Sequence, residues 1–228
     1  MFDGVDPSQI LEISRRLSAA LSPADLDATL TNITAAAVEV LPQVKYASIT
    51  VKHADGRLET FAPTDDIIRE IDAAQYELQE GPCYQAAVDT VHLEAPRLAE
   101  DTRFPRYAPV AVSYGIQAQA GIRLFDAPAS NGALNLYSEE PDSFEGFDAV
   151  SQLFAHQSAV ALAYARHVGN LENAVKSRQI VGQAVGIMME RHQLDDARAF
   201  AFLARLSSHE NIKLRDIAER IIAENKQA

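Results

Sequence analysis

The chain has 228 residues, 47% of them hydrophobic, and a formal net charge of −12. That is enough apolar material for one large core or two modest ones, and the wrong sign for a protein that coats nucleic acid through an overall basic excess. No apolar run approaches the roughly 20 residues a membrane-crossing helix needs, the opening MFDGVDPSQ lacks the basic and apolar regions of a signal peptide, and a single cysteine, Cys83, excludes an internal disulfide and a multi-cysteine zinc site. A cytosolic protein with no membrane partner is expected.

Taken in chain order, PSQILEISRRLSAAL has helical spacing at Ile10, Ile13, Leu17 and Leu21 and stops at Ser22-Pro23, which starts the next helix. That helix carries Leu26, Leu30, Ile33, Ala37 and Leu41 on one face and ends at Pro42. The period then changes from helical to alternating. YASITVKH, an Asp55-Gly56 turn and LETFAP make residues 45–62 a β-hairpin. Thr64, Asp65 and Asp66 start a helix carrying Ile67, Ile68, Ile71, Ala74 and Leu78 up to Gly81-Pro82. Short strands are expected at 91–94, 119–125 and 133–138, with a helix around 105–114 and a hairpin connection at 126–132. The first part is therefore α+β, an antiparallel sheet flanked by helices.

From Phe144 the pattern stays helical. Phe147, Phe154, Ala161, Val168 and Val175 are seven apart, and Val150, Gln157, Tyr164, Leu171 and Arg178 form a second row three places on, the a and d positions of a coiled-coil seam. A continuous helix through Gly169 towards residue 192, pairing with a second copy of the chain, is expected. The alternative is a helix that covers its own sheet to about residue 165 and gives way to a linker. Beyond it, helices of about 195–207 and 213–224 offer small apolar faces, Ala199, Phe202, Leu203 and Leu206 on one and Leu214, Ile217, Ala218 and Ile221 on the other. These depend on the preceding helix, whose Ile180, Val181, Ala184, Val185, Ile187, Met188 and Met189 surround most of its circumference. The methionine pair reads as core filler.

Charge divides along the same line: residues 1–169 hold 11 Lys/Arg against 24 Asp/Glu, and residues 170–228 hold 9 against 8. Separate jobs for the two parts are expected. Arg198 and Arg205 project from similar sides of one helix, and Arg191, Lys213 and Arg215 lie near the connections. Unpaired bases and close phosphates call for cations beside small polar groups, and Ser207, Ser208, His209 and Asn211 supply those. A solvated face compensated by Glu190, Asp195, Asp196 and Glu210 is the plainer alternative.

The stretches AAQYELQEGPCYQA, LAEDTRFPRYAPVAVSYGIQAQAGIRLF and GALNLYSEEPDSF resemble a bacterial GAF domain over residues 8–165. The segment RQIVGQAVGIMMER followed by DDARAFAFLARLSSHENIKLRDIAERII resembles the ANTAR domain of bacterial transcription antiterminators over 172–224, with the connecting helix spanning 144–192. The resemblance implies a homodimeric, non-enzymatic regulator. Its three-helix modules would bind two short hairpins in a nascent transcript and prevent a terminator from forming, with the GAF domain as sensor or dimeriser for an unidentified small-molecule ligand. Resemblance and patch together make Arg178, Gln183, Ala184, Gly186, Arg191 and Arg198 candidate RNA-binding residues, with Arg205, Ser207, Ser208, Asn211, Lys213 and Arg215. The chain departs from the family at Val185, where Lys is usual.

No close pair among the six histidines has metal-ligand spacing, and no phosphate loop or nucleophile elbow occurs. Neither a metal nor a cofactor is expected. Cys83 beside Pro82 at a helix start leaves open a thiol switch, although a buried structural cysteine is the commoner outcome. The competing functions are a dimeric sensor acting on a protein partner and a double-stranded DNA-binding regulator.

Overall fold

The computed structural model describes residues 14–15, 25–88, 92–127, 130–144 and 148–225. They form two units, residues 1–166 and 167–228. Ile10, Ile13, Leu17 and Leu21 lie outside the described residues.

In the first unit the alternation of YASITVKH becomes strand β1 (Tyr46–His53), paired antiparallel with β2 (Leu58–Phe61) across the Asp55-Gly56 turn. Strands β3 (His92–Ala95), β4 (Ala118–Ala127) and β5 (Ser130–Ser138) complete a five-stranded sheet of order β2-β1-β5-β4-β3. Each paired neighbour is antiparallel. Helix α1 (Leu26–Val40) is capped by Asp25, whose carboxylate accepts from the Ala28 amide at 2.8 Å. Helix α2 (Ile67–Leu78) does not use Thr64 as its cap. The Thr64 hydroxyl accepts from Ala47 N instead, tying the loop to β1, while Asp65 accepts from Ile67 N. Two short helices follow, α3 (Pro82–Val88) and α4 (Tyr107–Ser113).

The register gives the sheet two unlike faces. Ala47, Ile49, Leu134, Leu136, Ala118, Ala120 and Ile122 share one, and pack with Leu30, Ile33 and Ala37 of α1. The other carries Ser48 opposite Asn135, Asn135 opposite Gly121, and Tyr137 opposite Gln119, beneath α2, α3 and α4. Gly121 lets α3 come close: a Cβ there would stand 2.7 Å from the Pro82 carbonyl and 2.8 Å from Ala86 Cβ.

Helix α5 (Asp148–His192) is continuous for 45 residues, through Gly169. Within the first unit, Phe154, Ser158, Leu162 and Ala165 are buried on its sheet-facing side. Phe154 is therefore removed from the expected dimer seam, because the i, i+4 geometry that gives it heptad spacing also turns it onto its own sheet.

The second unit packs the last part of α5 with α6 (Asp196–Glu210) and α7 (Leu214–Asn225). Asp195 caps α6, accepting from Arg198 N at 2.8 Å, and Asn211 ends it in the left-handed region at φ 54°. The core is Ala184, Val185 and Met188 of α5, Ala199 and Leu203 of α6, and Ile217, Ala218 and Ile221 of α7. Phe202, expected among these, lies outside them. No helix among the described residues is long and apolar enough to cross a membrane.

Candidate nucleic-acid interface and a buried polar cluster

Of the candidate RNA-binding residues, Arg178, Gln183, Gly186, Arg191, Arg198, Arg205, Ser208, Lys213 and Arg215 are exposed. The cations are not equally available. Arg215 pairs with Glu219 at 2.8 Å and Arg198 lies 3.5 Å from Asp195, whereas Arg178, Arg191, Arg205 and Lys213 make no ion pair among the described residues. These pairs are solvent-exposed and weak, so each could exchange its carboxylate for a phosphate.

Three candidates have structural work. Ala184 is fully buried in the helical core. The Ser207 hydroxyl donates to the Ile212 carbonyl at 2.5 Å, and the Ser207 carbonyl accepts from the Asn211 and Ile212 amides. Asn211 thus holds the turn between α6 and α7 with its backbone, while its side chain faces solvent. Val185 is buried in the same core, so this position adds packing rather than a surface group. A Cβ on Gly186 would meet nothing within 4 Å; no neighbouring backbone among the described residues requires this glycine.

Along α5 the seam candidates divide by position. Phe147 lies outside the described residues, and the side chain of Val150 is not described. In the first unit, Gln157 and Ala161 are half-buried and Tyr164 is 54% exposed, joined by exposed Val160. In the second, Val168 is half-buried, Leu171 is 54% and Val175 65% exposed, and Arg178 is exposed. The spacing 164, 168, 171, 175, 178 is an uninterrupted a/d stripe.

The polar face of the sheet holds a cluster that the sequence reading did not single out. Asp72 of α2 is fully buried. It accepts from Ser48 at 2.8 Å, Thr60 at 3.0 Å, Gln75 at 3.3 Å and the Tyr137 hydroxyl. Hydroxyls have one proton each, and that fixes the direction of the network. Asn135 Nδ2 donates to Ser48 at 2.9 Å and Thr50 at 2.8 Å. With Thr60 committed to Asp72, Tyr76 donates to Thr60 at 2.8 Å and Thr50 donates to Tyr76 at 2.7 Å. Every donor chain ends on the Asp72 carboxylate. Burial nevertheless pushes that carboxyl up to about 6, against the downward pull of these hydrogen bonds. Asn135 Oδ1 is buried without a hydrogen-bond partner among the described residues.

Cys83 closes the cluster. Gln119 Nε2 donates to its sulfur at 2.7 Å, and its amide donates to Gln75 Oε1 at 3.0 Å. Burial first, and then the Asp72 charge, raise the thiol well above its ordinary range. The helix start therefore does not lower the thiol's pKa, and full burial gives Cys83 the surroundings of a structural cysteine. The missed signal was a run of small polar residues at alternate positions of β1 and β5, ordinarily the mark of a solvent face, here covered by helices. Among the described residues no group of three or more His, Cys, Asp or Glu is placed to hold a metal ion.

Residues 169–222 match the family model of the ANTAR domain. The GAF domain of an Acinetobacter phosphoenolpyruvate-protein phosphotransferase superposes over 73% of this chain and 99% of its own, with 15% identity and a TM-score of 0.50. Residues 169–222 thus carry an ANTAR domain, and the first unit has a GAF-like fold. The GAF assignment is one of fold. That fold is shared with a substrate-bound free methionine-R-sulfoxide reductase from Neisseria meningitidis, at 14% identity over 72% of this chain and 96% of that one, TM-score 0.51. It is also similar to the N-acylhomoserine lactone-dependent LuxR family transcription factor CepR2 from Burkholderia cenocepacia, at 14% identity, 70% and 99% coverage and TM-score 0.55. No curated protein sequence matches the chain.

Proposed function

We propose that this GAF–ANTAR protein binds, as a homodimer, the loops of two hairpins in a nascent transcript and so prevents a terminator from forming. The observation that carries the reading is the ANTAR match over 169–222, on a three-helix unit whose Arg178, Arg191, Arg205 and Lys213 are exposed and without carboxylate partners among the described residues. Those cations, with Gln183, Gly186, Arg198, Ser208 and Arg215, are the proposed RNA-contacting set; Ser207 and Asn211 shape the loop beside it, and Ala184 supports it from the core.

Dimerisation is proposed through the stripe Tyr164, Val168, Leu171, Val175 and Arg178, of which Tyr164, Leu171 and Val175 present exposed apolar surface among the described residues. Two linked RNA modules gain effective concentration on a paired target only if both can engage at once. Functionally we divide the chain into a sensory or dimerising part at 8–165, a connecting helix at 144–192 and an RNA-binding part at 172–224, acting in the cytoplasm without catalysis. One fold neighbour is an N-acylhomoserine lactone-dependent transcription factor and another a reductase in complex with its substrate, which supports a small-molecule signal for the GAF unit.

The test is a competition binding assay of the full-length protein with single-hairpin RNA, tandem-hairpin RNA and duplex DNA, with sedimentation equilibrium on the same sample. Preference for the tandem RNA by a dimer is expected. Preference for duplex DNA, or a dimer that binds neither nucleic acid, would replace this reading with the DNA-binding or protein-partner alternative.

A further inference from the structure

Residues 167–228 contain two aromatic side chains, Phe200 and Phe202, and neither joins the core of their unit, which is built from Ala, Val, Met, Leu and Ile. They are 46% and 42% exposed. For a unit this small, leaving its two largest apolar side chains outside inverts the usual economy of packing, since aromatic residues carry the largest hydrophobic payload per side chain. Something outside the unit therefore accounts for them.

The two occupy different flanks of α6. Phe200 lines an apolar groove with Val181 and Gly182 of α5 and Leu214 of α7. Phe202 lies on the other flank. At 3.6 residues per turn, positions 198, 202, 205 and 209 fall within about 60° of arc, so Arg198, Arg205 and His209 stand beside Phe202 on one strip. All four are exposed. Arg205 has no ion-pair partner among the described residues, and Arg198 meets only the helix-capping Asp195, at 3.5 Å. A flat apolar ring with a guanidinium about one turn to each side is a surface with two chemistries. It suits a ligand that has an aromatic face flanked by negative charges.

An unpaired nucleotide has that form, with its base face free and a phosphate on either side, whereas a duplex hides its base faces in the stack. We propose that Phe202 is the stacking platform for one unpaired loop base, with Arg198 and Arg205 receiving the flanking phosphates. This rests on the hairpin-loop reading above and adds to it a residue that family resemblance did not supply. Stacking is tolerant of base identity, so Phe202 contributes affinity, while loop sequence is read elsewhere.

The test uses full-length protein and a tandem stem-loop RNA selected from a pool randomised in both loops, with 2-aminopurine placed at each loop position in turn. The wild type is expected to alter the fluorescence of one position in each loop on binding. Phe202→Leu keeps apolar bulk but no ring. It should lose that signal and bind roughly 5- to 150-fold more weakly, with an unchanged salt slope, because no phosphate contact is removed. Phe202→Tyr should restore both, and matching circular-dichroism melts show that the variants fold. Wild-type binding with Phe202→Leu equal to it in affinity and fluorescence would overturn the stacking role and leave the RNA reading standing. Wild-type protein that selects no RNA from the pool would overturn both.

Discussion

Replacing Asp72 by Asn tests whether the polar cluster is held together around a carboxylate that burial disfavours. In the folded unit this carboxyl is raised from 3.8 to about 6, with burial as the first cause. Two units at about 1.4 kcal/mol each make the penalty on the order of 3 kcal/mol. The sign follows from which state holds the proton. Between about pH 4 and pH 6 the folded chain retains a proton that the unfolded chain has released, so stability falls as pH rises through this window. Below it both states are protonated, and above it the full penalty persists. Asp72→Asn stays neutral throughout, and its altered hydrogen bonds give an offset that varies little with pH. Wild-type stability minus variant stability should therefore decline by roughly 2–2.5 kcal/mol between pH 4 and pH 7. Other carboxylates, such as Glu80 and Asp142, have lowered values and oppose this slope in each protein, but they cancel in the difference. Urea unfolding followed by tyrosine signal isolates the relevant unit, because all seven tyrosines lie at or before residue 164 and the chain has no tryptophan. A difference that stays flat from pH 4 to pH 7, or rises, would refute the reasoning.

Gly121→Val places a side chain against the Pro82 carbonyl and Ala86 Cβ, at 2.7 and 2.8 Å from the first added carbon; it should destabilise the first unit by about 1–3 kcal/mol or more, read as a lower urea midpoint in the same tyrosine assay. Gly186→Ala meets nothing within 4 Å and should stabilise α5 by up to about 1 kcal/mol in a far-ultraviolet melt. If RNA affinity falls while stability rises, Gly186 serves close approach by a ligand. Arg205→Ala should weaken binding to tandem hairpins and reduce the slope of log K against log salt by about 0.7 for one lost single-strand phosphate contact; an unchanged slope removes Arg205 from the interface.

Much of the fold was legible because local patterns and packing agree. The β1–β2 hairpin follows from alternation around Asp55-Gly56, and the length of α5 follows from an apolar period unbroken by proline. What was not legible needed knowledge of which surface covers which. Ser48, Thr50 and Asn135 alternate with apolar neighbours as a solvent-facing row would, and only the placement of α2 and α3 above them turns the same pattern into a buried network. Phe154 keeps heptad spacing while facing its own sheet, since a helix beginning on one core and continuing beyond it can carry two apolar stripes at once. Phe202 fits the apolar period of α6 yet falls at the margin of the buried arc, where a rotation of some tens of degrees separates core from surface. Periodicity fixes the width of an apolar arc but not what lies opposite it.

The division of cationic from apolar surface on α6 bears on how the C-terminal unit can act. Its core is eight small or medium side chains, and a unit of about 60 residues buries a modest share of its surface when it folds. A cationic strip tolerates this, since phosphate contacts form in water and need no further burial. The exposed aliphatic positions Leu171 and Val175 are different: they return stability only when another apolar surface covers them. If the proposed seam does so, each copy stabilises its partner's α5 in the turn that precedes Ile180, Ala184 and Met188, the residues on which α6 and α7 pack. Dimerisation would then be linked to the order of the C-terminal unit itself by mass action, and a signal acting on the association of two chains would need no separate route to the proposed nucleic-acid surface.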